Sequence, residues 1–299
     1  MDCENSKNGD IISVLNMQSK LLSFNLGGHS GGVGNRAWNI RKPSLTNFLK
    51  GSKEDILCLQ EVQVDNRLVL DSVLSNYDSF YGNKTILPRS RDSSHNPIYW
   101  RRDAFKKKDC GSFYLSKTPK RWSKDWDAEY VRSATWIRLL TKLNLSLFIM
   151  NIHLDNRGSD SRIKSSQLII KRAIKYTKES VIFIAGDFNE RAWQPPIEDV
   201  NDYPSPILPA YIPQGSQVYA EFMHEGFKDT YLMGGNINKL NMNSYHDYFG
   251  KKFPHVALRI DWILVMDCEN RIRVVDSKIL NNHPLISDHF PICTTISYK

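Results

Sequence analysis

The chain has 299 residues, yet nowhere does it hold a run approaching the roughly 18 apolar residues of a membrane-spanning helix. It has few cysteines. The five (Cys3, Cys58, Cys110, Cys268, Cys293) are odd in number, scattered, and form no CxxC pair. That argues against a thiolate zinc cluster and against a disulfide framework. Cys58 sits in an apolar run and reads as core. The opening MDCENSKNGDIIS lacks the basic start and apolar stretch of a secretion signal, so an intracellular protein is the expectation. The glycine-rich GGHSGGVG at 27–34 lacks the GK[ST] of a nucleotide P-loop. It reads as a flexible loop beside Asn25, with His29 in solvent. Internal repeats and linkers are absent. The expected organisation is a leader over 1–18 and a single domain over 19–299, with a monomer as the default.

What is present is an ordinary globular composition, 41% hydrophobic and 24% charged, with a formal net charge of +8. That charge favours a polyanionic, phosphate-bearing partner, nucleic acid among them, and it also serves solubility. Basic residues cluster at Arg101, Arg102 and Lys106 to Lys108, and again at Lys117, Lys120, Arg121 and Lys124. Trp122 and Trp126 interleave the second cluster, a composition suited to a single strand or to a solvated loop.

Short apolar runs rich in β-branched and aromatic residues predict strands at 21–26, 56–59, 98–100, 135–140, 145–154, 181–185, 260–265 and 291–297. Helical spacing is found at 42–49, at 68–74, and most clearly from about 161 to 178. There Ile163, Ser166, Ile170, Ala173, Ile174 and Thr177 share a face, and Ser159 or Asp160 is placed to cap the start. Many strands and few helices predict an α/β fold: a four-layer α/β/β/α sandwich of two mostly antiparallel sheets with outer helices. Six of the thirteen prolines lie between Pro195 and Pro213, so 191–216 is expected to be a long irregular loop, a lid or an insertion.

The predicted strands end in polar chemistry. Asn25 follows the first, Gln60 and Glu61 the second. Asn151, His153 and Asp155 close the fifth, Asp187 and Asn189 the sixth. Asp261 opens the seventh, and Asp288 and His289 precede the last. A lone aspartate after a strand is a turn residue, and a lone buried histidine is a hydrogen-bonded core residue. Six strand ends together supply hard oxygen ligands and two imidazoles without a thiolate, a set suited to Mg²⁺ or Mn²⁺.

The motifs NL at 25–26, LQEV at 59–62, NIHL at 151–154, GDFN at 186–189, RIDWI at 259–263 and SDHFP at 287–291 resemble, in order, those of the endonuclease/exonuclease/phosphatase superfamily. The resemblance spans about residues 20 to 298. AWNIRKP, PIYWRRDAF, FYLSKTP, WDAEYVRSATW and HLDNRGSDSR further resemble its small metal-dependent hydrolases. Those members commonly carry a Gly-Glu before the PIYW motif, where this chain has Ser93-Ser94-His95-Asn96.

The resemblance implies a Mg²⁺-dependent phosphoester hydrolase. Glu61, helped by Asn25, and Asp288 would hold the metal. Asp187 would orient or deprotonate the attacking water. Asn189 would hydrogen-bond phosphate or water, and Gly186 would leave room for substrate. His289 would contact a phosphate oxygen or move a proton, with Asp261 fixing its tautomer, and His153 would lie near the phosphate. Arg41, Arg132, Asp155 and Arg157 are candidate substrate contacts. Three functions follow: a nuclease or other phosphodiesterase acting on nucleic acid, a hydrolase of a small phosphorylated metabolite or phospholipid headgroup, and a non-catalytic binding module. The third is disfavoured because no member of the motif set has been lost.

Overall fold

The computed structural model of the chain describes residues 17–28, 33–82, 95–197, 202–206, 208–237, 242–282 and 286–299. The leader expected over 1–18 lies almost wholly outside them, as does His29, while Gln18 already belongs to the first strand. In chain order the strands are β1 (Gln18–Asn25), β2 (Ile56–Gln60), β3 (Tyr77–Phe80), β4 (Ile98–Arg101), β5 (Phe105–Tyr114) and β6 (Ser133–Thr141). There follow β7 (Ser146–His153), β8 (Val181–Asp187), β9 (Lys228–Asp229), β10 (Asp261–Met266), β11 (Ile272–Ile279) and β12 (Ile292–Tyr298). The helices are α1 (Trp38–Lys50), α2 (Val64–Val73), α3 (Ser159–Ala173), α4 (Gln217–His224) and the single turn α5 (Thr230–Met233).

Two six-stranded sheets result, ordered β11-β12-β1-β2-β4-β3 and β5-β6-β7-β8-β10-β9. Only β1 with β2 and β7 with β8 pair in parallel. The continuous apolar run of β7 follows from burial on both faces. Leu147 and Ile149 point into the core between the sheets, with Leu21, Ile56, Phe183 and Ile263. Phe148, Met150 and Ile152 point outward, beneath Ile169, Ile170 and Ala173 of α3 and Val218 and Phe222 of α4. On the other sheet Leu22, Leu57 and Tyr99 meet Leu45 and Leu49 of α1 and Leu70 of α2. These three cores make the expected α/β/β/α sandwich.

Three local expectations are corrected. The start of α3 is capped by neither Ser159 nor Asp160. Gly158 holds that position, and the distant Asp127 carboxylate accepts the N–H groups of Asp160 (3.2 Å) and Ser161 (2.7 Å). Asp127 packs directly on Gly158, leaving no space for a Cβ. The helix buries Ser166, Ile170 and Ala173 of the expected face and, beside them, Arg162, Ser165 and Ile169, while Ile174 lies beyond its end and is exposed, so the inner face is only partly the one read from the sequence. Gly186 is not an opening for substrate. Its φ is 152°, and a Cβ there would collide with the Ile152 carbonyl of β7, so glycine is needed for close strand approach.

Register brings the polar strand ends together. Asn25 pairs with Gln60 across β1 and β2, His153 with Asp187 across β7 and β8, and Asp187 with Asp261 across β8 and β10. All lie at one end of the two sheets, because parallel neighbours finish side by side and an antiparallel neighbour begins where they finish.

Candidate active site

Asp187 is the centre of this end, 1% exposed. Its Oδ1 accepts the Asn189 N–H (2.9 Å), and its Oδ2 accepts Asn25 Nδ2–H (2.9 Å). The same Oδ2 lies 3.4 Å from His153 Nε2 and 3.7 Å from His289 Nε2. Burial, and then repulsion from Asp261, push the Asp187 carboxyl up to about 7 against the pull of His289. His289 Nδ1–H donates to Asp261 Oδ2 at 2.8 Å. Burial alone would lower this imidazole, but the Asp261 and Asp187 carboxylates outweigh it and raise it to about 10. His153 behaves oppositely. Burial, then the Arg132 and His289 charges, hold it well below its ordinary value, so it is neutral. Its Nδ1 is buried without a partner.

A second carboxylate pair, Glu61 and Asp288, lines the same cavity of about 340 Å³, with His153, Asp187, Asn189 and His289 among others. A Cβ on Gly27 would come within 2.6 Å of Asp288 Oδ1, and one on Gly28 within 3.0 Å of Glu61 Oε2. The turn thus lies directly against both acids. Burial and then the charge of Asp288 raise the proton affinity of Glu61. A carboxylate whose charge is disfavoured by burial and by a second carboxylate, at the edge of a polar cavity, is matched to a hard dication. Asp187, Asp261 and His289 also bring candidate ligand atoms within 4.8 Å of one another. Of their oxygens, Asp261 Oδ2 is engaged with His289 and both oxygens of Asp187 with Asn25 and Asn189, while Asp261 Oδ1 is buried with no hydrogen-bond partner among the described residues. Glu61 Oε1 and Asp288 Oδ1 are also engaged, by Asn25 Nδ2 (3.3 Å) and Ser287 Oγ (3.1 Å), so both groups of carboxylates are candidate metal holders. Within the first group only His289 and Asp261 are hydrogen-bonded to each other, and His289 Nε2 stands 3.7 Å from Asp187.

Asn25 was grouped with the metal ligands. In the structure its Oδ1 accepts the Gly27 N–H (2.9 Å), while Nδ2 donates to Asp187 and, at 3.3 Å, to Glu61. What it does is tie the two carboxylates together. Glu61 and Asn189 both adopt left-handed backbone, at φ 57° and 51°. Such strain in non-glycine residues is concentrated at functional sites.

The four expected substrate contacts separate. Arg41 is 2% exposed and donates to the carbonyls of Leu26, Gly27, Gly28, Arg36 and Ile286, so it holds the turn beneath Glu61 and Asp288 and faces no substrate. Asp155 is also internal. It accepts the backbone N–H groups of Tyr130, Arg157 and Gly158. Arg132 and Arg157 do line the cavity. Arg132 stands 3.6 Å from Asp155, and Arg157 pairs with Glu129 at 3.1 Å. The sequence reading missed Tyr130, Asn156, Leu208, Tyr245 and Asp247, which line the cavity together with Arg36, Gln63 and Ile260. Proximity to VRSATW and HLDNRG was the available signal for the first two. Nothing in the sequence marked Leu208, Tyr245 or Asp247.

The first basic cluster lies away from the site, whereas the second lies in the loop between β5 and β6, at the end of the sheet that carries His153. Lys106 and Lys107 pair with Leu140 and Leu139, and these with Ser146 and Leu147, at the opposite end of β7 from His153. At about 3.3 Å per residue that is roughly 20 Å away. In the second cluster Trp122 packs edge-on against Tyr114, Lys117 pairs with Asp125, and Lys124 donates to the Glu129 carbonyl.

Fold and site together define an endonuclease/exonuclease/phosphatase architecture, and the chain belongs to the Endonuclease/Exonuclease/phosphatase family, whose model matches residues 22–289. Members are hydrolases acting on phosphoester bonds, generally with a divalent metal. Among solved structures, an endonuclease/exonuclease/phosphatase from Bacteroides vulgatus is similar at 23% identity and TM-score 0.74, covering 95% of this chain and 100% of that one. A mannosyl-6-phosphatase from Bacteroides thetaiotaomicron VPI-5482 gives 23% identity and TM-score 0.74, covering 94% and 100%. TDP2 of D. rerio, in complex with a single-strand DNA product, gives 17% identity and TM-score 0.65, covering 94% and 99%. No curated protein matches the chain significantly in sequence. Among the described residues no helix is long and apolar enough to cross a membrane.

Proposed function

We propose that the protein hydrolyses a phosphoester by metal-assisted attack of water, with Mg²⁺ as the metal and Mn²⁺ as a substitute. The observation that carries this reading is the position of Asp187 Oδ2, 2.9 Å from Asn25 Nδ2 and within 3.7 Å of both imidazoles, in a cavity that the Glu61 and Asp288 carboxylates also line. Glu61 and Asp288 would hold the metal, which would neutralise phosphate charge and stabilise the charge that develops on it. Asp187, with a proton affinity near neutrality, orients the water and takes its proton. His289, charged and fixed by Asp261, donates to a phosphate oxygen. His153, neutral, offers a second hydrogen bond. The Asn189 amide donates to the Leu154 carbonyl at 3.0 Å, which aims the rest of the group into the cavity.

The substrate has two readings. The net charge of +8 supports a phosphodiester of nucleic acid. The small cavity and the remoteness of Lys106 and Lys107 support a small phosphorylated compound instead. A panel of single- and double-stranded DNA, RNA, sugar and inositol phosphates and sphingomyelin, assayed with Mg²⁺ and with chelator, tests the reaction. Metal-dependent release of phosphate or a cut product is expected. Metal-independent binding without turnover, unaffected by Glu61→Ala, would establish a binding module.

A further inference from the structure

The rim of the cavity is fastened from several directions by ion pairs between segments distant in sequence. Arg36, just before α1, reaches Asp247 in the loop before β10 at 3.1 Å. Arg157, after β7, reaches Glu129, before β6, at 3.1 Å. The third fastening is buried. Arg191, 1% exposed, donates Nε to the Pro209 carbonyl (2.8 Å), Nη1 to the Val256 carbonyl, and Nη2 to Asp202 (2.7 Å). Asp202 also accepts the Tyr211 N–H (3.2 Å) and pairs with His255 at 3.0 Å. This clamp joins the proline-rich loop after β8 to the loop before β10. Holding Pro209 sets Leu208, one residue earlier, into the cavity wall, where among the described residues Leu208 and Ile260 are the aliphatic side chains of the lining.

Two consequences follow for entry. A site that cuts inside a strand must let the chain leave the reacting phosphate on both sides, along an open basic track. Among the described residues the arginines at the rim are each held against a carboxylate, and Leu208 and Ile260 put two aliphatic side chains into an otherwise polar lining. The volume of about 340 Å³ falls at the small end of pockets that enclose a compact ligand.

We infer that the clamped rim makes the site a blind pocket entered end-on, which accepts a terminal phosphoester and excludes one internal to a strand. The inference rests on the phosphoester reading of the same site. A terminal phosphoester comes from a small phosphorylated molecule or from the end of a nucleic acid strand, and the two sources are separable. Leu208 and the Arg191–Asp202–His255 clamp set the specificity without touching the reacting atoms.

The test uses the whole protein and reads binding beside turnover. Probes are para-nitrophenyl phosphate, and single-stranded oligonucleotides of one sequence in linear 5′-phosphorylated and covalently closed circular forms. The terminal probes are expected to compete for the site at least about tenfold better than the circle, and to be the ones turned over. Competition by para-nitrophenyl phosphate alone assigns the small-molecule source; competition by the linear strand as well assigns strand ends. Leu208→Gly should narrow the preference for terminal over closed substrate by about tenfold, and Asp202→Asn, which loosens the clamp, should act in the same direction. Equal competition by circle and linear strand overturns the inference, whether or not turnover is seen. So does an unchanged preference in folded Leu208→Gly. Absence of turnover from every substrate, with preferential binding of the terminal probes retained, instead overturns the hydrolytic reading.

Discussion

Asn25 Nδ2 lies 2.9 Å from Asp187 Oδ2, and this bond joins the end of one sheet to the end of the other. The same nitrogen reaches Glu61 at 3.3 Å, so one amide sets the separation between the expected base and an expected metal ligand. Its hydrogen bonds also favour the charged forms of both acids. Replacing Asn25 by alanine should raise the proton affinity of Asp187 and cut kcat/KM by about 100-fold near neutral pH. A pH–rate profile whose acid limb stays in place would count against this coupling.

Asp187→Asn keeps the shape and removes the proton acceptor. His289→Ala removes the charged donor that Asp261 holds. Each should lower Mg²⁺-dependent turnover by about 100-fold or more. Circular dichroism should show both variants folded. Turnover like that of the wild type in either variant would end the proposed division of roles.

In the metal-free protein, His289 should keep its proton to about pH 10 while His153 stays neutral at pH 7, as read by imidazole NMR titration. The sign for stability follows. The folded affinity of His289 is raised above its ordinary 6.5, so its stabilising contribution is complete below 6.5 and is lost as pH rises through about 10. Asp261→Asn removes the leading attraction and should move the His289 titration to lower pH. An unchanged titration would show that Asp261 does not hold the charge.

Burial, and then the charge of Asp288, oppose the ionisation of Glu61. Glu61→Gln should therefore leave the metal-free protein at least as stable as the wild type, while removing the rise in Tm on adding Mg²⁺. A melting series with and without Mg²⁺ reads both effects. A full Mg²⁺-induced rise in Glu61→Gln would place the metal elsewhere.

Gly186→Ala would force a Cβ into the Ile152 carbonyl at a φ of 152°. The expected cost is about 3 kcal/mol, from denaturant unfolding, with β8 and hence Asp187 displaced. A loss below about 1 kcal/mol would mean that the strands separate easily here.

The sequence by itself determined the interior of both sheets and the chemistry at their ends. Eight strands were legible: β1, β2, β4, β6, β7, β8, β10 and β12, all with neighbours on both sides. The four it did not show, β3, β5, β9 and β11, are the four edges of the two sheets. The reason is physical. An interior strand in a sandwich is covered on its faces and must be apolar, as in VIFIAGD, whereas an edge has one neighbour and tolerates charge, as in FKKKDCGSFY. Glu61, His153, Asp187, Asp261, Asp288 and His289 were legible because polar groups at the ends of buried strands break the local pattern. Only the tertiary structure decided what Arg41 and Asp155 do. An arginine bound to five carbonyls and a carboxylate bound to three backbone N–H groups carry the same letters as ligand-binding ones, and their partners are fixed by loops that meet only in the fold. The clamp of Arg191, Asp202 and His255 is of the same kind, since its members meet only where two loops cross beside the cavity.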